Sequence, residues 1–330
     1  MTITRTLYLL LTSLATCCAA LCWSCTTKGT AAGAGTVTDS VVSTEKSEVF
    51  SADSAYAYVA RQVAFGPRVP NTDAHMRAGE WLASELKRHG AVVVDQPVTL
   101  TAFDGTRLKA RNIMGRYNPD SPQRLLLLAH WDCRPWADED SDEAKRSEPV
   151  DGANDGASGV GVLLEIARQL GIDSPSKGID ILFVDAEDWG SEGDSDSWAL
   201  GARHFAAHPP VEGYSADCAI LLDMVGGKDA RFYREYFSEN AAPELSDAIW
   251  QTAGRLGHGE RFINRIGTAV TDDHVELIKA GIPAIDIIEY KPSHGFNEHW
   301  HTSHDNMEGI SSETLGIVGE TVMTYLRENY

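Results

Sequence analysis

Positive charge is scarce in this sequence. Against 48 Asp and Glu stand 28 Lys and Arg, a formal net charge of -20 with a pI near 4.9. Phosphate binding needs clustered Lys and Arg, so no nucleic-acid partner is expected. Cysteine is scarce too. Of six cysteines, four lie within residues 1–25, which leaves Cys133 and Cys218 for the body of the chain. Their contexts suggest no bridge, and both are expected as buried free thiols. The sequence has no Gly-x-Ser-x-Gly elbow and no Gly-x-x-x-x-Gly-Lys phosphate loop, which argues against serine hydrolysis of that type and against P-loop chemistry. Residues 156–161, Gly-Ala-Ser-Gly-Val-Gly, are glycine-rich but do not directly follow a strand, so they do not carry a dinucleotide-binding reading.

Long apolar runs are also missing. Residues 7–21 are apolar and follow Arg5, too short for a comfortable transmembrane span but of the form of an export signal. The run closes on Leu-Cys-Trp-Ser-Cys at 21–25, which resembles a bacterial lipoprotein processing site with Cys25 as the lipidated residue. Cleavage at Cys17 or as a plain signal peptide are the alternatives. Residues 1–25 are therefore expected to be a targeting segment. Residues 26–50, rich in Thr, Gly, Ala and Ser at their start, are expected to be a flexible tether. Residues 51–330 are left as one folded domain. With 43% hydrophobic residues the chain is ample for a large core.

Within that domain, helical periodicity runs through 51–65, 72–89, 157–170, 198–207, 243–256, 273–280 and 312–327. In the second of these, Met76, Trp81, Leu82 and Leu86 recur at helical spacing. Strand patterns occupy 91–100, 108–117, 123–129, 178–184, 217–224 and 281–288. Strands alternating with helices argue for one α/β sheet covered on both faces. Ligands of such sheets bind outside the carboxyl ends of the strands.

The polar residues sit where that rule directs attention. The apolar strand ending at Val184 runs into Asp-Ala-Glu-Asp-Trp-Gly at 185–190. Adjacent side chains on extended chain point different ways, so one carboxylate can hold a metal while its neighbour moves protons. His130 and Asp132 follow the strand at 123–129, Asp223 ends the strand at 217–224, and Asp155 and His301 lie in polar loops. Each alone has an ordinary explanation: an Asp after a strand usually caps a helix, and a lone His is usually a hydrogen-bonded surface or core residue. His130, Asp132, Asp155, Glu187, Asp188, Asp223 and His301 on one sheet edge are hard to assign to chance. A mixed His and carboxylate set suits zinc.

Five stretches carry a family likeness: Ala-His-Trp-Asp at 129–132, Gly-Ala-Asn-Asp-Gly-Ala-Ser-Gly at 152–159, Phe-Val-Asp-Ala-Glu-Asp at 183–188, Leu-Leu-Asp-Met at 221–224, and Trp-His-Thr at 300–302 with Asp305-Asn306. They resemble the zinc-aminopeptidase superfamily. Within it, Thr-Asp-Asp-His at 271–274, Gly-Ile-Pro at 281–283 and Trp300 directly before His301 resemble the glutaminyl cyclases, in particular the bacterial branch found in Bacteroidetes. The resemblance implies a single-domain α/β/α sandwich around a central mixed, mostly parallel sheet. It implies one zinc per chain held by Asp155, Asp188 and His301, with Glu187 as general acid/base. Asp223 and Asp272 would form a buried acidic hydrogen-bond network with Glu187. Trp300 would wall the substrate pocket, lined by Val270 and Thr271, with Trp189 also at the substrate. His130 and Asp132 would lie beside the zinc without binding it. The implied substrates are peptides and proteins with N-terminal Gln, handled by a monomeric, exported enzyme facing the periplasm and touching a membrane only through Cys25. Relative to animal cyclases, the metal carboxylate is Asp188 rather than Glu, and Trp189 replaces a small residue. Their disulfide near the His-x-Asp motif has no equivalent. Two other readings stay open on the same fold: a dinuclear zinc aminopeptidase, in which His130 and Asp223 would bind a second metal, and a non-catalytic binding domain.

Overall fold

Leucines at 125–128 dictate the centre of the molecule, because a strand apolar on both faces must be covered on both. The computed structural model describes residues 49–330; the expected signal segment, Cys25 and nearly all of the expected tether lie outside them. In chain order the elements are α1 (Ala52–Val63), α2 (Asp73–Arg88), β1 (Val92–Thr101), β2 (Arg107–Tyr117), β3 (Arg124–His130), α3 (Ala157–Ile172), β4 (Gly178–Val184), α4 (Leu200–Ala207), β5 (Cys218–Asp223), β6 (Phe232–Arg234), α5 (Tyr236–Ala241), α6 (Pro243–Arg255), β7 (Phe262–Ile266), α7 (Asp273–Lys279), β8 (Ala284–Ile288) and α8 (Ser312–Asn329).

The main sheet has six strands in the order β1-β2-β4-β3-β5-β8. Strands β4, β3, β5 and β8 run parallel, while β2 is antiparallel to both β1 and β4. The expected mixed, mostly parallel sheet is what forms. Every residue of β3 and β4 is buried, as strands covered on both faces must be. Leu125 and Leu127 pack with Val160 and Leu163 of α3 and Val318 and Val322 of α8. Leu126 and Leu128 face the opposite layer, with Phe205 of α4 and Leu277 of α7. The period-two alternation of one strand thus joins both helical layers.

The helices start where their caps place them. Ser51 Oγ accepts from the Ser54 N–H at 3.2 Å, and Thr72 Oγ1 from the His75 N–H at 3.2 Å. In α2 the buried face is Ala78, Gly79, Leu82 and Leu86, and Met76 is 54% exposed, contrary to its expected place on the apolar face. Gly79 lies under the Trp131 ring, which turns that side of the helix inward and leaves Met76 outside. Strands β6 and β7, a separate parallel pair, and the short helix α5 are absent from the periodicity. Segments of three to six residues are too short to show a period. Both thiols are free; Cys133 is buried as expected, but Cys218 is only partly so, its Sγ 3.6 Å from the Tyr330 hydroxyl.

Helix α3 lies against the sheet so closely that a Cβ on Gly159 would overlap the Leu222 carbonyl oxygen of β5 and crowd Ala129 of β3. Gly254, in α6, has open space around it. Urea unfolding should therefore show Gly159→Ala destabilised by about 3 kcal/mol or more. Gly254→Ala should be stabilised by about 0.5–1 kcal/mol through helix propensity.

Candidate metal and catalytic site

Because β3, β4, β5 and β8 are parallel, their carboxyl ends share one edge, and the polar residues expected there converge. Three ligand atoms, one each from Asp155, Asp188 and His301, lie within 4.8 Å of one another. His301 Nε2 is 3.0 Å from Asp188 Oδ1 and 3.5 Å from Asp155 Oδ2. A second group, His130, Asp155 and Asp223, meets the same criterion. There His130 Nε2 is 3.0 Å from Asp155 Oδ1 and 3.2 Å from Asp223 Oδ1. Asp155 therefore stands between the two groups with one oxygen toward each.

The backbone around these ligands is fixed by further carboxylates. Asp132 accepts from the Glu187 and Asp188 N–H groups at 3.2 Å each and so holds the acidic turn after β4. Asp305 accepts from the N–H groups of Asn154 at 2.7 Å and Asp155 at 3.1 Å. Gly156, with φ of +87°, lets the chain pass over the His130 ring; a Cβ there would strike it. Ala186 and His301 hold left-handed backbone at φ of 55° and 54°, local strain of the kind found at functional sites.

The residues fit a metal ion. Asp188 Oδ1 is buried, and its 3.0 Å contact with His301 Nε2 lacks hydrogen-bond geometry, so it is an acceptor that a cation would satisfy. One histidine with two carboxylates, leaving a position open toward a cavity, is a catalytic zinc donor set. Burial pushes the Asp188 carboxyl up, and the nearby Asp155 charge adds to it. At Asp155 burial acts upward as well, but the hydrogen bond and charge of His130 outweigh it and hold that carboxyl below its ordinary range. Burial would lower His130, yet its three carboxylate neighbours Asp132, Asp155 and Asp223 raise it well above the usual histidine value.

Glu187 belongs to neither ligand group. It lines a cavity of about 500 Å³ together with Asp155, Asp188, Asp223, Asp272 and His301. Loss of water pushes its carboxyl well above the ordinary range, and the charges of Asp188, Asp272 and Asp273 add to this against the pull of His130. Burial, then the charge of Asp223, raises Asp272 to about 7. The expected direct hydrogen-bond network of Glu187, Asp223 and Asp272 is not what forms among the described residues. Asp223 is bonded to His130 and to the Met224 N–H, Asp272 Oδ1 caps α7 through the Asp273 N–H, and Asp272 Oδ2 has no partner. Charge links them pairwise instead, Asp272 acting on Glu187 and Asp223 on Asp272.

Trp300, Val270 and Thr271 line the cavity as expected. Trp189 does not. It turns away onto Ala102, Leu108, Ala110 and Ala186, and its Nε1 donates to Asp104 at 3.3 Å. The chain has left strand β4 at Val184 and turns through left-handed Ala186, and this turn sends Glu187 and Asp188 to the cavity and Trp189 away from it. Trp198 takes the wall instead, its ring stacked 5.9 Å from His301 at 16°. Trp300 covers the other side of that imidazole at 3.6 Å. Met224, Ile288, Tyr290 and Phe296 complete the apolar lining. Sequence reading assigned them no place in the pocket because they belong to strand ends and a loop with no period; Met224 appeared only within a family motif, and the aromatic content of the loop after β8 was the signal for Tyr290 and Phe296.

Behind the cavity lies a second set of buried acids. Neither carboxylate oxygen of Asp273 or of Asp286 has a hydrogen-bond partner. Burial, with the charge of Asp272 next, raises both well above the ordinary range. A carboxyl raised on folding stabilises the protein fully below its unfolded value, and that contribution is lost as pH rises through the folded value. Asp286→Asn should therefore raise Tm at pH 8 by about 2–4 °C and by less at pH 5, as read by calorimetry.

A model of peptidase family M28 matches residues 112–326. Among solved structures, the glutaminyl cyclase of Porphyromonas gingivalis is 54% identical at a TM-score of 0.84, covering 86% of this chain and 99% of that one. The glutaminyl cyclase of Bacteroides thetaiotaomicron, bound to N-acetylhistamine, is 48% identical at a TM-score of 0.84, again over 86% and 99%. Aminopeptidase YwaD of Bacillus subtilis is 27% identical over 79% of this chain, which spans only 54% of that protein's length. The chain belongs to peptidase family M28, in the branch that holds bacterial glutaminyl cyclases.

Proposed function

We propose that the protein is a glutaminyl-peptide cyclotransferase, which converts N-terminal glutamine of peptides and proteins to pyroglutamate and releases ammonia. The observation that carries this reading is Glu187. It is open to the cavity, its proton affinity is raised, and it stands beside the ligand Asp188 without belonging to a ligand group. Such a carboxyl can take a proton from one nitrogen and return it to another. The likeness to two cyclases over nearly their whole length supports it.

The chemistry balances with the groups present. The α-amine nitrogen bonds to the side-chain amide carbon, and the bond from that carbon to the amide nitrogen breaks. Glu187 receives the proton from the attacking amine and gives it to the leaving nitrogen, which departs as ammonia. One zinc on Asp155, Asp188 and His301 would supply Lewis-acid polarisation of the amide oxygen. Nucleophile and electrophile belong to one residue, so the pocket's main task is to hold the side chain folded back on its own amine. Trp198, Trp300, Val270 and Ile288 form apolar walls that exclude water. Burial, with the neighbouring carboxyls of Asp188, Asp272 and Asp273, keeps the proton affinity of Glu187 high.

A dinuclear aminopeptidase is the second reading, favoured by the group His130, Asp155 and Asp223 and by the likeness to YwaD. We place one zinc per chain because the cyclisation needs a single Lewis acid, which leaves His130 Nε2 to bridge Asp155 at 3.0 Å and Asp223 at 3.2 Å. An imidazolium there supplies the positive charge that a second cation would. Export, lipid attachment at Cys25 and action as a monomer belong to the same proposal. They rest on the sequence of residues 1–25 and on every site group coming from one chain.

A Gln-initiated dipeptide surrogate should release ammonia, and a Leu-initiated one should release no amine. Glu187→Gln should lower kcat by about 10²–10⁴ while metal analysis still finds one zinc per chain. Loss of zinc in that variant would make Glu187 a ligand, and two zincs in the wild type with amine release would favour the aminopeptidase.

A further inference from the structure

The loop after β3 places a cation beside the metal ligands, and neither zinc binding nor proton transfer explains why it is there. Arg134 is only 2% exposed. A buried guanidinium is costly unless its donors are used, and here they are spent on parts of the metal site. Nη1 donates to the carbonyl oxygens of Asp188 and Gly190, each at 2.9 Å, which clamps the turn that carries the ligand Asp188. The same nitrogen is 3.9 Å from Asp188 Oδ1. Nε and Nη2 form a fork on Asp138, at 3.0 Å and 2.5 Å. Asp138 Oδ1 in turn faces His301 Nδ1 at 3.7 Å, on the side of the ring away from Asp155 and Asp188. The guanidinium plane lies 4.8 Å over Trp198 and 4.9 Å over Trp136, and Trp198 is the ring stacked on His301.

We propose that Arg134 is a positioning residue of the metal site, fixing Asp188 through its backbone and His301 through Asp138 and Trp198. The proposal rests on Asp188 and His301 being ligands, and holds for either enzymatic reading above. At 3.7 Å Asp138 acts on the distal nitrogen of His301 through charge, which favours a proton on Nδ1 and leaves Nε2 toward Asp155 and Asp188. Arg134 holds that carboxylate with two parallel bonds, so the geometry of one ligand and the backbone of another are set by a single rigid plane. Lysine cannot replace it. An ammonium has one nitrogen, and that nitrogen cannot reach two carbonyls and fork a carboxylate while stacking on indoles.

The test reads metal, not turnover. Zinc affinity is measured by chelator competition on Arg134→Gln and Arg134→Lys proteins whose near-ultraviolet circular dichroism shows a native fold. The cobalt(II)-substituted proteins are compared by visible absorption. Arg134→Gln should bind zinc about 10–100-fold more weakly and shift the cobalt bands, and Arg134→Lys should recover only part of the loss. A merely structural role would lower Tm and leave both readouts at wild-type values. If Arg134→Gln does not fold, Arg134→Lys and Trp198→Leu carry the test, since the latter keeps the bonds of Arg134 and removes the stack on His301. Zinc affinity within twofold of wild type with unchanged cobalt bands, in the variants that fold, overturns the proposal. Failure of the cyclase reading leaves these readouts standing, because no substrate is involved.

Discussion

Like charge crowded at one buried sheet edge governs this protein. Asp155, Glu187, Asp188, Asp223 and Asp272 all open on one cavity, and the four aspartates among them are buried. Repulsion of this kind costs little at ε near 80 and several kcal/mol inside a protein. The structure answers it in three ways. Positive groups stand among the acids, as with His130 between Asp155 and Asp223. Proton affinities rise, as at Glu187, Asp188 and Asp272. Asp188 Oδ1, one of several buried acceptors without a hydrogen bond, lies where a cation would satisfy it. Metal binding and proton handling are therefore two consequences of one constraint.

The scaffold makes that crowding possible. Two strands buried along their whole length, β3 and β4, form a base that cannot relax outward. At their ends two further carboxylates are turned to structural use, Asp132 on the amides of Glu187 and Asp188 and Asp305 on those of Asn154 and Asp155. Burial and the charge of Asp155 raise Asp305 to about 7, so even a backbone anchor is drawn into the electrostatics of the site. Close approach of α3 at Gly159 and of the 152–156 loop at Gly156 brings the ligand-bearing loop within reach of the histidines.

Much of this was legible in the sequence. The leucine run at 125–128 and the β-branched run ending at Val184 announced buried parallel strands, and their ends drew attention to His130, Asp132, Glu187 and Asp188, while the ligand set itself came from the family likeness. Local pattern could not tell which way a side chain turns after a strand. Trp198, assigned no role from sequence, takes the place expected of Trp189 because the turn after β4, with left-handed Ala186, sets orientations that no periodicity encodes. Asp305 entered only as part of a family motif, with no role assigned, and Arg134 did not enter at all, for a related reason. Their partners are backbone atoms and side chains brought close only by the fold, and a single Asp or Arg in a polar loop carries no signal of that. The small sheet β6–β7 escaped because its strands are three and five residues long.

The central claim is that the attacking atom is the substrate's own amine and not a water. Turnover of a Gln-initiated peptide in water enriched in oxygen-18 tests it by mass spectrometry of the product. The account predicts a product lighter by one ammonia with no solvent oxygen incorporated. Appearance of the heavy isotope in a newly formed carboxylate, whether by cleavage of the peptide bond or of the side-chain amide, would contradict it.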